Sequence, residues 1–119
     1  MKVLIVDDSR VMRQIVSRTL RQAGFDDLDL LEAENGREGC DQVAAQRPDL
    51  VLSDWNMPEM NGIELLTELR AGGNEVRFGF VTSETTPEMR ERAIAGGALF
   101  LLAKPFTAEV FQETLGAVV

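Results

Sequence analysis

At 119 residues the chain is long enough for one domain and leaves no room for a second sizeable core. Its 20 acidic and 12 basic residues give a net charge of −8, which argues against binding nucleic acid or an anionic membrane through bulk charge. Histidine is absent, excluding Ser-His and Cys-His nucleophile pairs and His-ligated zinc, and the single cysteine, Cys40, cannot close an internal disulfide.

The first apolar run, Val3–Val6, predicts a buried strand that ends in Asp7-Asp8. Met1–Asp7 is too short and too soon acidic for a signal peptide. Ser9 is placed to cap a helix whose apolar face is Val11, Met12, Ile15, Val16, Thr19 and Leu20. Its opposite face carries Arg10, Arg13, Gln14 and Arg21, and Gly24 ends it. Leu28–Leu31, flanked by Asp26, Asp27 and Asp29, predicts an edge strand. A second helix runs from about Gly36 to Gln46 and stops before Pro48. Leu50–Leu52 predicts the third strand, with Asp54 just beyond it; the helix that follows carries Leu65, Leu66 and Leu69 and ends at Gly72-Gly73. Phe78–Val81 predicts the fourth strand, closed by Thr82-Ser83, and Thr86-Pro87-Glu88 reads as a cap with proline at the first helical position. That fourth helix has a short apolar face, Met89, Ala93 and Ile94, with Gly96-Gly97 after it. Leu99–Ala103 predicts the fifth strand, before Lys104-Pro105, and a last helix after Thr107 is expected to bury Val110, Phe111, Leu115 and Val118.

Strict alternation of strand and helix predicts the α/β class: a parallel sheet, helices on both faces and right-handed crossovers. No run approaches the roughly 18–20 apolar residues that span a bilayer. The expectation is a soluble, cytoplasmic protein, one domain over residues 1–119. Sheets of this kind place their ligands beyond the carboxyl ends of the strands. Four of the five predicted strands end there in reactive chemistry: Asp7-Asp8, Asp54, Thr82-Ser83 and Lys104-Pro105.

Each of these residues alone reads as a turn, a cap or a solvated loop position. Together they bring three carboxylates to one rim, where two carboxylates about 5 Å apart repel by roughly 3 kcal/mol at an effective dielectric near 20. Three carboxylates carry −3; one divalent cation and Lys104 carry +3. With only carboxylate, carbonyl and water oxygens on offer, the cation is a hard one, and Mg²⁺ suits it better than zinc or copper. Such a site keeps coordination free for a phosphate oxygen.

The sequence resembles the receiver domains of two-component response regulators, in particular the stand-alone chemotaxis type. The resemblance rests on Val3-Leu4-Ile5-Val6-Asp7-Asp8-Ser9, on Ser53-Asp54-Trp55-Asn56-Met57-Pro58 with Asn61-Gly62, on Val81-Thr82-Ser83-Glu84, and on Lys104-Pro105-Phe106. It implies a flavodoxin-like, doubly wound five-stranded parallel sheet in the order 2-1-3-4-5 with five helices. It also implies that Asp54 is the phosphoacceptor, that Asp8, Asp54 and the Asn56 carbonyl bind Mg²⁺ directly, and that Asp7 acts through water. Thr82 and Lys104 would each meet a phosphoryl oxygen, and the Lys104–Pro105 bond would be cis. The donor would be a histidine kinase or a histidine phosphotransfer protein, since a chain without histidine cannot carry its own phosphohistidine. The implied protein is a monomer or weak dimer that assists its own phosphorylation and dephosphorylation and has no outside substrate, so it is not an enzyme in the ordinary sense.

Asn56 and Glu84 occupy the two positions that tune phosphoryl lifetime in the family. The output side departs from it. An aromatic residue usually stands three positions before the lysine, whereas here that position is Leu101, and Phe100 points to the opposite face. Positions used elsewhere for flagellar-motor contact are Pro87, Arg90 and Thr114, which do not match. The alternatives are a receiver fold used for protein interaction without phosphorylation and a receiver domain excised from a larger regulator. An aspartyl-phosphate hydrolase lacks support because the aspartates are adjacent and no residues remain for a cap. A flavin carrier lacks a phosphate-binding loop after the first strand.

Overall fold

Val3–Val6 and Leu50–Leu52 are at most 2 % exposed, as central parallel strands covered on both faces must be. These residues belong to a computed structural model that describes residues 1–118; Val119, the last residue of the expected domain span, lies outside the described residues. The elements in chain order are β1 (Lys2–Val6), α1 (Arg10–Gln22), β2 (Asp29–Ala33), α2 (Gly36–Gln46), β3 (Leu50–Ser53), α3 (Gly62–Ala71), β4 (Arg77–Thr82), α4 (Pro87–Ala95), β5 (Phe100–Ala103) and α5 (Ala108–Gly116). All the strands pair in parallel in the order β2-β1-β3-β4-β5, the flavodoxin-like topology that the resemblance implies.

Two apolar cores flank the sheet. One joins Leu4, Val6, Val51, Phe78, Phe80 and Leu101 to α2, α3 and α4; the other joins Val3, Ile5, Leu52, Val81 and Phe100 to α1 and α5. Leu101 and Phe100 therefore lie on opposite faces, as alternation along a strand requires. Gly79 makes room for Phe100: a Cβ there would land on the Phe100 ring of the neighbouring strand.

The caps follow the sequence closely. Ser9, Asn35, Asn61, Thr86 and Thr107 each accept a hydrogen bond from the backbone N–H three residues on, and Asn61 with Glu64 forms a full capping box. The Lys104–Pro105 peptide bond is cis.

Several expectations need correction. The second strand is Asp29–Ala33 and not Leu28–Leu31: Asp27 turns at φ 56°, the Asp29 N–H donates to the Met1 carbonyl, and the ladder starts only there. Its place at the edge of the sheet stands. The fifth strand starts at Phe100, leaving Leu99 44 % exposed. Val11, Ile15, Ile94 and Val110, expected to face the core, are exposed because the narrow buried stripes of these helices are carried by neighbouring residues such as Val16, Leu20, Ala93, Phe111 and Leu115. Arg13, expected on the solvent face, is buried. Among the described residues no helix is long and apolar enough to cross a membrane.

Candidate functional site

The parallel ladder runs on past the strand ends and so fixes the first residue of each loop. Asp7 N–H donates to the Ala33 carbonyl (3.1 Å), Asp54 N–H to Val6 (2.9 Å) and Lys104 N–H to Thr82 (2.8 Å). Chain segments far apart in sequence thus present their side chains at one end of the sheet. One carboxylate oxygen from each of Asp7, Asp8 and Asp54 lies within 4.8 Å of the others, with Asp7 buried, Asp54 half-buried and Asp8 exposed.

Lys104 reaches into this cluster. Its Nζ is 3.1 Å from Asp7 Oδ2 and 3.4 Å from Asp54 Oδ2. Asp8 makes no ion pair among the described residues. Burial pushes the Asp54 carboxyl above the usual range; the Lys104 cation opposes this, Asp7 adds to it, and the Trp55 N–H bonded to Oδ1 (2.7 Å) opposes it again. Asp7 is held by the Ser9 N–H on Oδ1 at 2.9 Å, an Asx-type turn at the start of α1.

Thr82 closes β4 with its hydroxyl fully buried and, among the described residues, without a hydrogen-bond partner. Buried hydroxyls are nearly always paired, so an orphan beside a charged cluster marks a place for an incoming acceptor. Asn56 and Glu84 are exposed on the loops after β3 and β4, while Pro105 and Phe106 follow Lys104. Beside Lys104 lies an apolar groove of about 270 Å³ lined by Met12, Ile15, Pro105 and Phe106.

The donor set fits a small hard cation: three carboxylates, one of them solvent-facing and unpaired, with no nitrogen or sulfur ligand among them. Structure thus brings together Asp7, Asp8, Asp54 and Lys104 and puts Thr82 at the end of the neighbouring strand. Two features were not read from the sequence. One is Arg13, which donates from Nη1 to the Asp7 carbonyl at 2.6 Å and from Nε to Glu32 at 2.8 Å. The other is Arg92 of α4, whose guanidinium sits 5.6 Å from the centroid of the Trp55 ring. Neither has a local sequence signal, because each depends on a contact between distant segments.

The sequence profile of the response regulator receiver domain matches residues 3–116. The chain belongs to the response regulator receiver family. The Helicobacter pylori (strain J99) chemotaxis protein CheY1 is 40% identical over 121 residues, covering 99% of this chain and 96% of that protein. A chemotaxis protein CheY homolog of Campylobacter jejuni is 42% identical over 118 residues, covering 97% and 89%. Among solved structures, the Vibrio cholerae chemotaxis protein CheY4 superposes with a TM-score of 0.86 at 38% identity, covering 99% of this chain and 98% of that one. This receiver domain is accordingly of the CheY-like, two-component signalling type.

Proposed function

We propose that this receiver accepts a phosphoryl group on Asp54 from the phosphohistidine of a histidine kinase or phosphotransfer protein, and that Asp8, Asp54 and the Asn56 carbonyl would hold Mg²⁺ directly, with Asp7 acting through water. The reading is supported above all by one observation: a lysine amine set between Asp7 and Asp54 in a cluster whose third carboxylate is unpaired. A scaffold domain gains nothing from that concentration of like charge.

In the proposed step an Asp54 carboxylate oxygen attacks phosphorus, the donor's P–N bond breaks, and the imidazole nitrogen leaves with the electron pair. A carboxylate is ionised at neutral pH and needs no general base; the demand on the site is alignment and relief of charge. Trp55 N–H holds one Asp54 oxygen and leaves the other beside Lys104. Lys104 meets charge on the transferred oxygens, and the Thr82 hydroxyl donates to one of them. A Mg²⁺ held by Asp8 and Asp54 would supply positive charge against the transferred group. The apolar groove lined by Met12, Ile15, Pro105 and Phe106 lies beside Lys104, where an incoming donor could pack. Asn56 and Glu84 stand on the exposed loops after β3 and β4, placed to tune access of water to the acyl phosphate.

Incubation with acetyl phosphate and Mg²⁺ should add one phosphoryl group, located at Asp54 by peptide mapping, and chelation with EDTA should prevent it. Modification elsewhere, or none, overturns the reading. Mg²⁺ should also stabilise the fold. At ten times the dissociation constant the linkage is about 1.4 kcal/mol, or about 5 °C in thermal midpoint for a domain of this size. Asp8→Ala should remove most of that rise; an unchanged midpoint in the wild type would count against the metal site.

A further inference from the structure

The geometry points to Arg13 as a positioning residue for the acidic cluster: it fixes the turn between β1 and α1 from which Asp7 and Asp8 project. The inference rests on the cation site proposed above.

A guanidinium is a permanent charge, and burying one without partners is costly. Arg13 is nonetheless only 7 % exposed, within a helix that offers ample solvent surface. Two directed bonds hold it there. Nη1 donates to the backbone carbonyl of Asp7 at 2.6 Å, and Nε to Oε1 of Glu32 on the edge strand β2 at 2.8 Å. The Asp7 carbonyl lies just past the last residue of β1, in the peptide that joins Asp7 to Asp8. Gripping that carbonyl sets the orientation of the Asp7–Asp8 peptide plane and so the direction in which Asp8 leaves the chain. The Ser9 N–H on Asp7 Oδ1 restrains the same turn from its side-chain end. Glu32, with its side chain 56% exposed, anchors the guanidinium and thereby ties β2 to the turn.

Charge alone predicts the opposite effect of removing this residue. Arg13 is a cation near a cation site, so by Coulomb repulsion its loss should tighten Mg²⁺ binding. As a positioning residue its loss should weaken binding, because groups that orient metal ligands are typically worth 10- to 100-fold in affinity. The sign of the change therefore separates the two roles.

The test is Mg²⁺ titration of the folded protein, followed by the fluorescence of Trp55, the only tryptophan, whose backbone N–H bonds Asp54. Arg13→Met should raise the dissociation constant about tenfold. Arg13→Lys, which keeps a donor able to reach the Asp7 carbonyl, should recover most of the loss. Should Arg13→Met fail to fold, Glu32→Ala replaces it, since that side chain is largely exposed. It should weaken binding severalfold, and the effect should persist at about 0.5 M KCl, where exposed charges are screened. Unchanged or tighter binding in Arg13→Met overturns the proposal, as does a Glu32→Ala effect that vanishes in high salt. A wild-type protein that does not respond to Mg²⁺ overturns the cation site itself, which is a separate result.

Discussion

Asp54→Asn should give a protein that takes no phosphoryl group from acetyl phosphate or from a phosphorylated kinase, yet unfolds at a higher temperature than the wild type at neutral pH. Loss of labelling is the direct consequence of removing the attacking oxygen; an amide is no nucleophile toward phosphorus. The gain in stability follows from the raised pKa of Asp54, whose first cause is burial. In the unfolded chain this carboxyl titrates near the ordinary value of about 3.9. Between that value and its raised native value, the native state holds more protons than the unfolded state, so stability falls as pH rises. Above the native value the full cost of an ionised, half-buried carboxylate is present. A neutral amide at this position carries no such cost, and Lys104 keeps Asp7 as its partner at 3.1 Å. Thermal midpoints measured in EDTA from about pH 3 to about pH 8 should therefore converge at the acid end and separate as the pH rises. Labelling that survives in Asp54→Asn would sink the phosphoacceptor assignment, and a variant less stable than wild type at neutral pH would show that burial of this carboxylate carries no net cost.

What was legible in the sequence was whatever a strand announces by itself. Val3–Val6, Leu50–Leu52 and Phe78–Val81 are continuous apolar runs because both faces of a central parallel strand are covered. Once those strands are placed, Asp7, Asp8, Asp54 and Thr82 fall at their carboxyl ends by position alone, and Lys104 does the same after β5, which is why the cluster could be anticipated. The edge strand was displaced because an edge need bury only part of its surface: Glu32 sits within it and Leu28 outside it. Arg13 was missed for a different reason. Helical periodicity assigns a charged residue to solvent, and only the Asp7 carbonyl and a glutamate 19 residues on make its burial tolerable. Val11 and Ile15 are exposed on the same helix that buries Arg13, and Ile15 lines the groove beside Lys104. The orphaned Thr82 hydroxyl was equally out of reach, because the absence of a partner is a property of the packed molecule.

Thr82 is also where the signal is expected to leave the site. A fluoroberyllate mimic of the phosphoryl group should alter amide exchange across residues 88–95 of α4 in the wild type and in Leu101→Ala, but not in Thr82→Ala. The α4 helix is lightly held: Ala93 is its one fully buried residue, Ile94 is 54 % exposed, and Gly97 follows at φ 98°. Drawing the Thr82 hydroxyl toward a phosphoryl oxygen should move the end of β4, from which a short loop leads into α4. The Arg92 guanidinium over the Trp55 ring ties the same helix to the residue next to Asp54. Leu101 is 4 % exposed among apolar neighbours and carries no hydroxyl that could exchange partners. Its truncation should cost about 2–5 kcal/mol of stability through the cavity it leaves. It should not cost the response. Thr82→Val should behave oppositely, keeping or raising stability because a buried, unpaired hydroxyl is replaced by a methyl group of the same shape. If Leu101→Ala abolishes the change in α4 while Thr82→Ala retains it, the coupling runs through the β5 side chain, and Thr82 serves only the phosphoryl group.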